Sequence, residues 1–171
     1  MKSITKTQKI LGIDTNAKTV KGAAQGFMTG IVYLAPSDES GVANTCPHAS
    51  KGCRAACLFT AGRGSMNNVR NPRIKKTISF FADKASWINQ LKGEIFNAKK
   101  KAVKNKTQFV ARLNGTSDIA WENENIFQTE KETQFYDYTK NPKRMIDFLD
   151  GKMPSNYHLT FSKSENNDAV C

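Results

Sequence analysis

Short apolar segments that are each followed by polar residues constrain the fold of this chain most strongly. Branched and aromatic residues in such segments favour β-strands, and polar or turn-forming residues end them. Four segments of this kind occur, at residues 30–36, 109–113, 134–138 and 157–161. The stretches between them are long enough for crossover connections, so the pattern predicts right-handed βα units in a parallel sheet.

Helical signals lie between the predicted strands. Pro72 suits the first turn of a helix, which predicts that one begins there. Trp87, Leu91 and Ile95 recur at every fourth position and predict a second helix, and residues 142–149 predict a short third one. Four βα units are too few for a complete eight-stranded barrel. The predicted fold class is therefore α/β, as a small partial barrel or an open parallel sheet.

The chain length of 171 residues suits a single domain with its own core. Within residues 1–171, the segment 1–29 is predicted to be an extended lead-in with room for an edge hairpin. Residues 37–68 form a long loop after the first strand, and residues 69–171 supply the other βα units. Long loops inside compact domains are usually functional, because a bound ligand or metal offsets the entropy lost in ordering them.

Three cysteines in this loop, Cys46, Cys53 and Cys57, have the spacing C-x6-C-x3-C. The first twelve residues lack the composition of a secretory signal, and no apolar run approaches the ~20 residues that cross a bilayer. We therefore expect a cytosolic, reducing setting and no membrane partner. Clustered cysteines in that setting indicate metal binding, with disulfide bonds as the alternative.

Thiolates are preferred ligands of both iron–sulfur clusters and zinc. Zinc sites usually pair their ligands as C-x2-C, a spacing that is absent here. A [4Fe–4S] cluster is therefore the predicted cofactor, and zinc, with His48 as a further ligand, is the alternative. Nearby Lys51 and Arg54 are expected to lower the pKa of the thiols. Cys171 could supply a fourth cluster ligand; without it, one iron would be open to act as a Lewis acid.

Polar residues at the strand ends complete the predicted site, because ligands of parallel α/β sheets bind beyond the carboxyl ends of the strands. Strand alternation groups Arg112 with Asn114, Asp137 with Thr139, and His158 with Thr160 and Ser162. A polar face on three strands would be costly to bury dry, which predicts a solvated pocket beside the cluster. The candidate catalytic residues are Asp118, Asp137 and His158, and the candidate substrate-binding residues are Arg112, Asn114 and Lys140.

Several of these residues have structural alternatives. Asp118 could instead cap the helix that follows it. Arg112 and Asp137 could form an ion pair within a structural hydrogen-bond network. His158 could be a hydrogen-bonded histidine of the core.

Charge is distributed unevenly along the chain. Residues 1–113 hold 20 basic and 5 acidic side chains, a net charge of +15, whereas residues 114–171 hold 6 and 10, a net charge of −4. Such a field attracts anions, which fits a small anionic substrate or an acidic redox partner. The segment 63–76 has five basic residues and no acid and could contact phosphates. No nucleic-acid motif accompanies it, so nucleic acid is open as a partner without support from a motif.

Four segments resemble a family of small, largely uncharacterised phage-encoded proteins with a three-cysteine motif. They are residues 45–64 (TCPHASKGCRAACLFTAGRG), 112–121 (RLNGTSDIAW), 135–140 (FYDYTK) and 156–162 (NYHLTFS). The resemblance implies a viral gene product that acts in the cytoplasm of the infected host cell, and an iron–sulfur protein. Radical S-adenosylmethionine enzymes also combine a three-cysteine cluster with a partial barrel, but their motif is C-x3-C-x2-C, which differs from the spacing here.

Two functional hypotheses follow from these observations. In the first, the chain is a hydrolase or hydratase that uses an open cluster iron as a Lewis acid. In the second, it is an electron carrier or a basic module that binds nucleic acid or a partner, with a structural iron–sulfur or zinc site. The role of Cys171 distinguishes the two hypotheses.

Overall fold

One sheet organises the molecule, and its spatial strand order follows the sequence, β1-β2-β3-β4-β5. The structure is a computed structural model that describes residues 8–14 and 17–170. Within these residues the strands are β1 (Leu11–Ile13), β2 (Phe27–Val32), β3 (Gln108–Arg112), β4 (Gln134–Thr139) and β5 (Tyr157–Phe161). β1 pairs antiparallel with β2, and the remaining neighbours pair in parallel. The α/β class and the open sheet are thus confirmed, with one strand more than the four predicted.

The additional strand lies in the predicted lead-in. The backbone N–H groups of Ile10 and Leu11 donate to the carboxylate of Glu94 at 2.7–3.0 Å. At the other end of β1, the backbone N–H of Asp14 donates to the carbonyl of Thr29 at 3.2 Å. These contacts satisfy the backbone of an edge strand of only three residues, which has few ladder bonds of its own.

Helices form the connections between the strands. They are α1 (Ala17–Ala23), α2 (Lys51–Ala55), α3 (Asn67–Ala82), α4 (Lys84–Lys104) and α5 (Pro142–Leu149), with 3₁₀ turns at Gly62–Ser65, Trp121–Asn123 and Asp168–Val170. The predicted helices at residues 142–149 and around Trp87 are confirmed. The sequence did not predict α1, which lies in the segment expected to be an extended lead-in, or α2, which lies in the expected loop.

The helix predicted to begin at Pro72 begins earlier, so this prediction was wrong. The carbonyl of Met66 accepts from the N–H groups of both Val69 and Arg70 at 2.9 Å, which starts α3 before the proline is reached. Pro72 therefore lies inside the helix and removes one backbone donor there. The predicted loop 37–68 accordingly ends two residues early, at Met66, and it contains α2 and a 3₁₀ turn.

The first predicted strand, at residues 30–36, is shifted towards the N-terminus in the structure. Its ladder ends at Val32, whose carbonyl accepts from the N–H of Gly115 at 2.9 Å. A Cβ at position 115 would lie 2.6 Å from the same oxygen, so this approach requires glycine. The extended segment beyond Val32 is held by side chains: Thr116 Oγ1 donates to the Leu34 carbonyl, and Ala35 N–H donates to Thr77 Oγ1.

The main core lies between the sheet and helices α3 and α4. The rings of Trp87 and Trp121 stack with centroids 5.9 Å apart, and Phe80 packs against both of them. The i, i+4 stripe of α4 that the sequence indicated is fully buried at Leu91 and Ile95. This packing holds the carboxyl ends of the parallel strands in one row, where the candidate site lies.

A candidate cysteine-lined site

A pocket of about 380 Å³ lies beyond the carboxyl ends of the parallel strands. The three cysteines of the motif line it, together with residues that follow β3, β4 and β5. Of the predicted site residues, those that line it are Cys46, Cys53, Cys57, Arg112, Asn114, Asp118 and Lys140. The parallel topology therefore brings together predicted site residues that are up to 94 positions apart, from 46 to 140.

Cys46 is held by the extended segment that leaves β2. Thr45 donates through its hydroxyl to the Ala35 carbonyl at 2.7 Å, and the Cys46 N–H donates to Asn44 Oδ1 at 2.9 Å. The thiol lies 3.6 Å from the carbonyl oxygen of Thr116, to which it donates. Burial raises the pKa of the Cys46 thiol, and the nearby Asp118 carboxylate adds to the effect. For this thiol the expected lowering of the pKa is wrong, because burial outweighs the lowering by hydrogen bonds with Ser37 and Thr45.

Cys53 and Cys57 are positioned by the short helix α2. Ser50 caps the helix by accepting from the Cys53 N–H at 3.0 Å. The Gly52 N–H donates to Glu165 Oε1 at 2.8 Å, and a Cβ at position 52 would come within 2.7 Å of that oxygen. Glu165 belongs to the segment after β5, so the last part of the chain fixes the cysteine loop.

The three thiols are free and half-buried. Within residues 8–14 and 17–170, no group of three or more His, Cys, Asp or Glu side chains stands in an arrangement that could hold a metal ion. His48 is exposed and is not part of the pocket wall. Cys171, the predicted fourth ligand, lies outside the described residues.

Two basic side chains face the cysteines across the pocket. Arg112 donates through Nε to the Asn114 carbonyl at 3.1 Å, and its guanidinium lies 4.8 Å from the centroid of the Tyr138 ring. Lys140 donates through Nζ to Ser162 Oγ at 2.7 Å. These contacts fix the two cations at the rim, where they contribute positive charge to the pocket.

Asp118 is fixed by an ion pair that the sequence did not reveal. Arg144 Nη1 donates to Asp118 Oδ1 at 2.6 Å, and Nε and Nη2 donate to the two oxygens of Glu122 at 2.6 and 2.7 Å. Asp118 Oδ2 accepts from the backbone N–H of Lys140 at 2.9 Å. The alternative that Asp118 caps the next helix is wrong, because the following 3₁₀ turn is preceded by Ala120 and has no side-chain cap.

Arg144 and Glu122 connect this site to a second concave surface. Both residues line an open groove of about 950 Å³ between α5 and the segment before β5. The groove is larger than the cysteine-lined pocket, but no cysteine of the described chain contributes to it. Arg144 lies in the first turn of α5, just beyond the carboxyl end of β4, which is the signal that could have identified it.

Asp137 lies behind the pocket, not on its wall. The register pairs Asp137 with Leu159, so both face the core, whereas Arg112 faces the opposite side of the sheet. The prediction of one polar face shared by Arg112 and Asp137 was therefore wrong. Asp137 Oδ1 accepts from the Asn114 N–H at 2.8 Å, and the predicted ion pair with Arg112 is present at 3.9 Å. Burial raises the pKa of Asp137 to about 7.

His158 does not belong to the pocket wall. It is exposed on β5, and its ring meets the edge of Phe148 with centroids 5.3 Å apart. The alternative of a core histidine is wrong, because the alternation of β5 buries Tyr157 and Leu159 instead. His158 lacks the position that a proton acceptor in this pocket would need.

The fold and the site define an α/β protein with a cysteine-lined, partly basic pocket at the carboxyl edge of a mostly parallel sheet. Comparison with known families matches residues 6–171 to Gene product 88. The chain therefore belongs to the Gene product 88 family, a phage-type family. Comparison with curated proteins and with solved structures finds no match. None of the helices in the described residues is long and apolar enough to cross a membrane.

Proposed function

We propose that this phage protein binds a [4Fe–4S] cluster through Cys46, Cys53 and Cys57, and that the adjoining pocket binds a small anionic substrate. One observation carries the proposal: three free, half-buried thiols and two fixed cations line the same pocket. Thiolates are the usual ligands of such clusters, and a thiolate-ligated cluster is anionic. The residues present therefore fit the group in donor type and in surrounding charge.

An iron without a protein ligand supplies a Lewis acid for a water or carbonyl oxygen, which suits hydrolysis or hydration. The chain's own residues would bind and orient the substrate. Arg112 and Lys140 pair with its anionic groups, and Asp118 is the strand-end carboxylate that faces the same space. Arg144 holds that carboxylate in place from behind. Asp137 does not reach the pocket wall and acts on it through the Asn114 backbone.

The cluster is tested with anaerobically purified protein. We expect a broad visible absorbance and about four irons and four sulfides per chain. Serine at position 46, 53 or 57 should remove the absorbance. A colourless protein that contains zinc would contradict the proposal and favour the zinc alternative.

Cys171→Ser distinguishes an open site from a closed one. We expect the spectrum and the iron content of this variant to equal those of the parent protein, because in the proposed function the three cysteines alone would hold the cluster and one iron would be left for the substrate. Loss of the cluster in Cys171→Ser would instead support a closed site, and with it an electron carrier or a binding module.

The anion site is tested by titrating the reconstituted protein with citrate and with inorganic phosphate while its visible spectrum is recorded. Arg112→Gln should weaken the response about tenfold, since one charge-assisted contact contributes about 1.5 kcal/mol. Lys143→Gln serves as the control, because it removes the same charge from an exposed position on α5. Equal responses of the two variants would contradict the role of Arg112.

A further inference from the structure

The second half of α4 and the residue pair after it carry a concentration of positive charge. Residues 92–106 contain six lysines and one acid. We call this segment the basic half of α4; its cations are Lys92, Lys99, Lys100, Lys101, Lys104 and Lys106.

Little of this charge is neutralised within the described part of the chain. The single acid, Glu94, uses its carboxylate to hold the backbone of Ile10 and Leu11. Lys99 pairs with Glu132 at 3.3 Å. The other five lysines have no acidic partner among residues 8–14 and 17–170. A concentration of unpaired cations on one helix favours binding of a polyanion.

The basic segment 63–76, which the sequence indicated as a phosphate-binding candidate, is different. Three of its cations are used inside the fold, each by a separate contact. These contacts are Arg70 with Glu39 at 3.0 Å, Arg73 over the ring of Tyr33 at 4.7 Å, and Lys76 with the Ile10 carbonyl at 3.2 Å. On α3 these contacts leave Lys75 as the cation for which no such contact is found among the described residues, so most of the available charge lies on α4.

An exposed aromatic ring lies within the basic half of α4. Phe96 is 53% exposed, whereas Trp87, the other aromatic residue of α4, is buried. Lys100 Nζ lies 4.3 Å from the centroid of the Phe96 ring. An exposed ring beside unpaired cations is the combination that binds single-stranded nucleic acid, because bases stack on the ring while lysines contact phosphates.

The basic half of α4 is separate from the cysteine-lined pocket. α4 ends at Lys104 and β3 begins at Gln108, so this end of the helix lies near the amino edge of the sheet. The pocket lies at the carboxyl edge. Binding at one place can therefore be tested without disturbing the other.

We propose that the basic half of α4 binds single-stranded nucleic acid, with its lysines on the phosphates and Phe96 stacked on a base. The proposal goes beyond the cluster and its substrate and does not depend on them. Serine variants of the three cysteines should bind nucleic acid as the parent protein does.

The charge contribution is tested by fluorescence anisotropy of the full chain with labelled 20-nucleotide DNA and RNA strands over a range of salt concentrations. One triple variant, which we call the α4 set, carries Lys100→Gln, Lys101→Gln and Lys104→Gln. We compare it with a second triple variant, the control set, that also removes three positive charges from exposed positions. The control set is Lys143→Gln, Lys152→Gln and Lys163→Gln. The α4 set should flatten the slope of log affinity against log salt by about two, since each phosphate contact contributes about 0.7.

The stacking contribution is tested with Phe96→Ala. It should weaken binding of the single strand about tenfold without changing the salt slope, because the variant lacks the ring on which a base stacks but keeps every lysine. Phe81→Ala, on α3, is the control because Phe81 is also exposed. Binding of a duplex of the same sequence should be unaffected by Phe96→Ala, since its bases are already stacked.

Three results would overturn the proposal. The first is equal salt slopes for the α4 set and the control set. The second is single-strand affinity in Phe96→Ala equal to that in Phe81→Ala. The third is no binding of either strand by the parent protein at 50 mM salt, where electrostatic binding should be strong.

Discussion

Asp137 shows how a single residue can be placed on the wrong face of a sheet. Alternation within β4 correctly groups Asp137 with Thr139, but it does not say which face is covered by helices. That is decided by pairing with neighbouring strands, which puts Asp137 beside Leu159 on the core side. The cost of burying this carboxyl is offset by two hydrogen bonds that it accepts, from the Asn114 N–H at 2.8 Å and from the Tyr157 hydroxyl at 3.2 Å.

The raised pKa of Asp137 gives a specific pH dependence of stability. The pKa is about 7 in the folded protein and 3.8 as a model value, so the folded state holds the proton more tightly between these pH values. This group therefore makes the free energy of unfolding fall as pH rises from about 4 to 7. Asp137→Asn removes the titration and mimics the protonated form. From pH 5 to pH 7 the free energy of unfolding of the parent protein should therefore fall by about 2 kcal/mol relative to that of the variant.

Urea unfolding of both proteins at pH 5, 6, 7 and 8 measures this difference. Asp150→Asn, at an exposed position beyond α5, controls for the change of net charge. Parallel pH profiles for the parent protein and Asp137→Asn would show that the carboxyl titrates normally in the fold.

At the scale of elements, the cysteine loop could be predicted only in part. The sequence predicted that the loop follows the first predicted strand and that it binds metal. The structure confirms the position of the loop, which follows β2. It did not predict α2, because five residues give too little periodicity to indicate a helix. The N-terminal N–H groups of α2 are satisfied by Ser50 nearby and by Glu165, which is 113 residues away from Gly52 in the sequence.

Glu165 is therefore expected to hold the cysteine loop in place. Glu165→Ala leaves the Gly52 N–H without its partner and loosens the start of α2. Hydrogen exchange at Gly52, Cys53 and Arg54 should become about tenfold faster, since one hydrogen bond to a charged group contributes about 1.5–3 kcal/mol. Glu165→Gln should restore part of the protection, because its amide oxygen can still accept the bond.

Exchange by mass spectrometry or NMR gives this measurement without any cofactor. Glu132→Ala is the control, because the Glu132 side chain is 86% exposed and lies far from the loop in sequence. Unchanged exchange at Gly52 in Glu165→Ala would mean that the loop is held by its local contacts alone. If the proposed function holds as well, Glu165→Ala should also lose iron to a chelator faster than the parent protein.

At the scale of the whole molecule, the sequence predicted the parallel strands and the edge at which the site lies. It did so because the apolar segments at residues 109–113, 134–138 and 157–161 differ by at most one residue at each end from the observed strands. It failed where a position depends on distant partners. Arg144 lies between Asp118 and Glu122, two residues that precede it by 26 and 22 positions, and no local pattern indicates that contact.

Arg144 also tests the prediction that residues 1–171 form a single domain. Arg144→Met leaves two carboxylates unpaired, Asp118 and Glu122, whose side chains are only 10% and 14% exposed. We expect the free energy of unfolding to fall by about 3–5 kcal/mol, as when one partner of a buried ion pair is removed. In a single cooperative domain the slowest amides of α4, around Leu91 and Ile95, should lose the same free energy of protection against hydrogen exchange.

Lys143→Met is the control, because Lys143 is the neighbour of Arg144 on α5 and its side chain is 81% exposed. It should change both quantities by less than about 0.5 kcal/mol. If α4 kept its protection while urea unfolding showed the full loss, the β4–α5–β5 half would be unfolding on its own, and the chain would consist of two units.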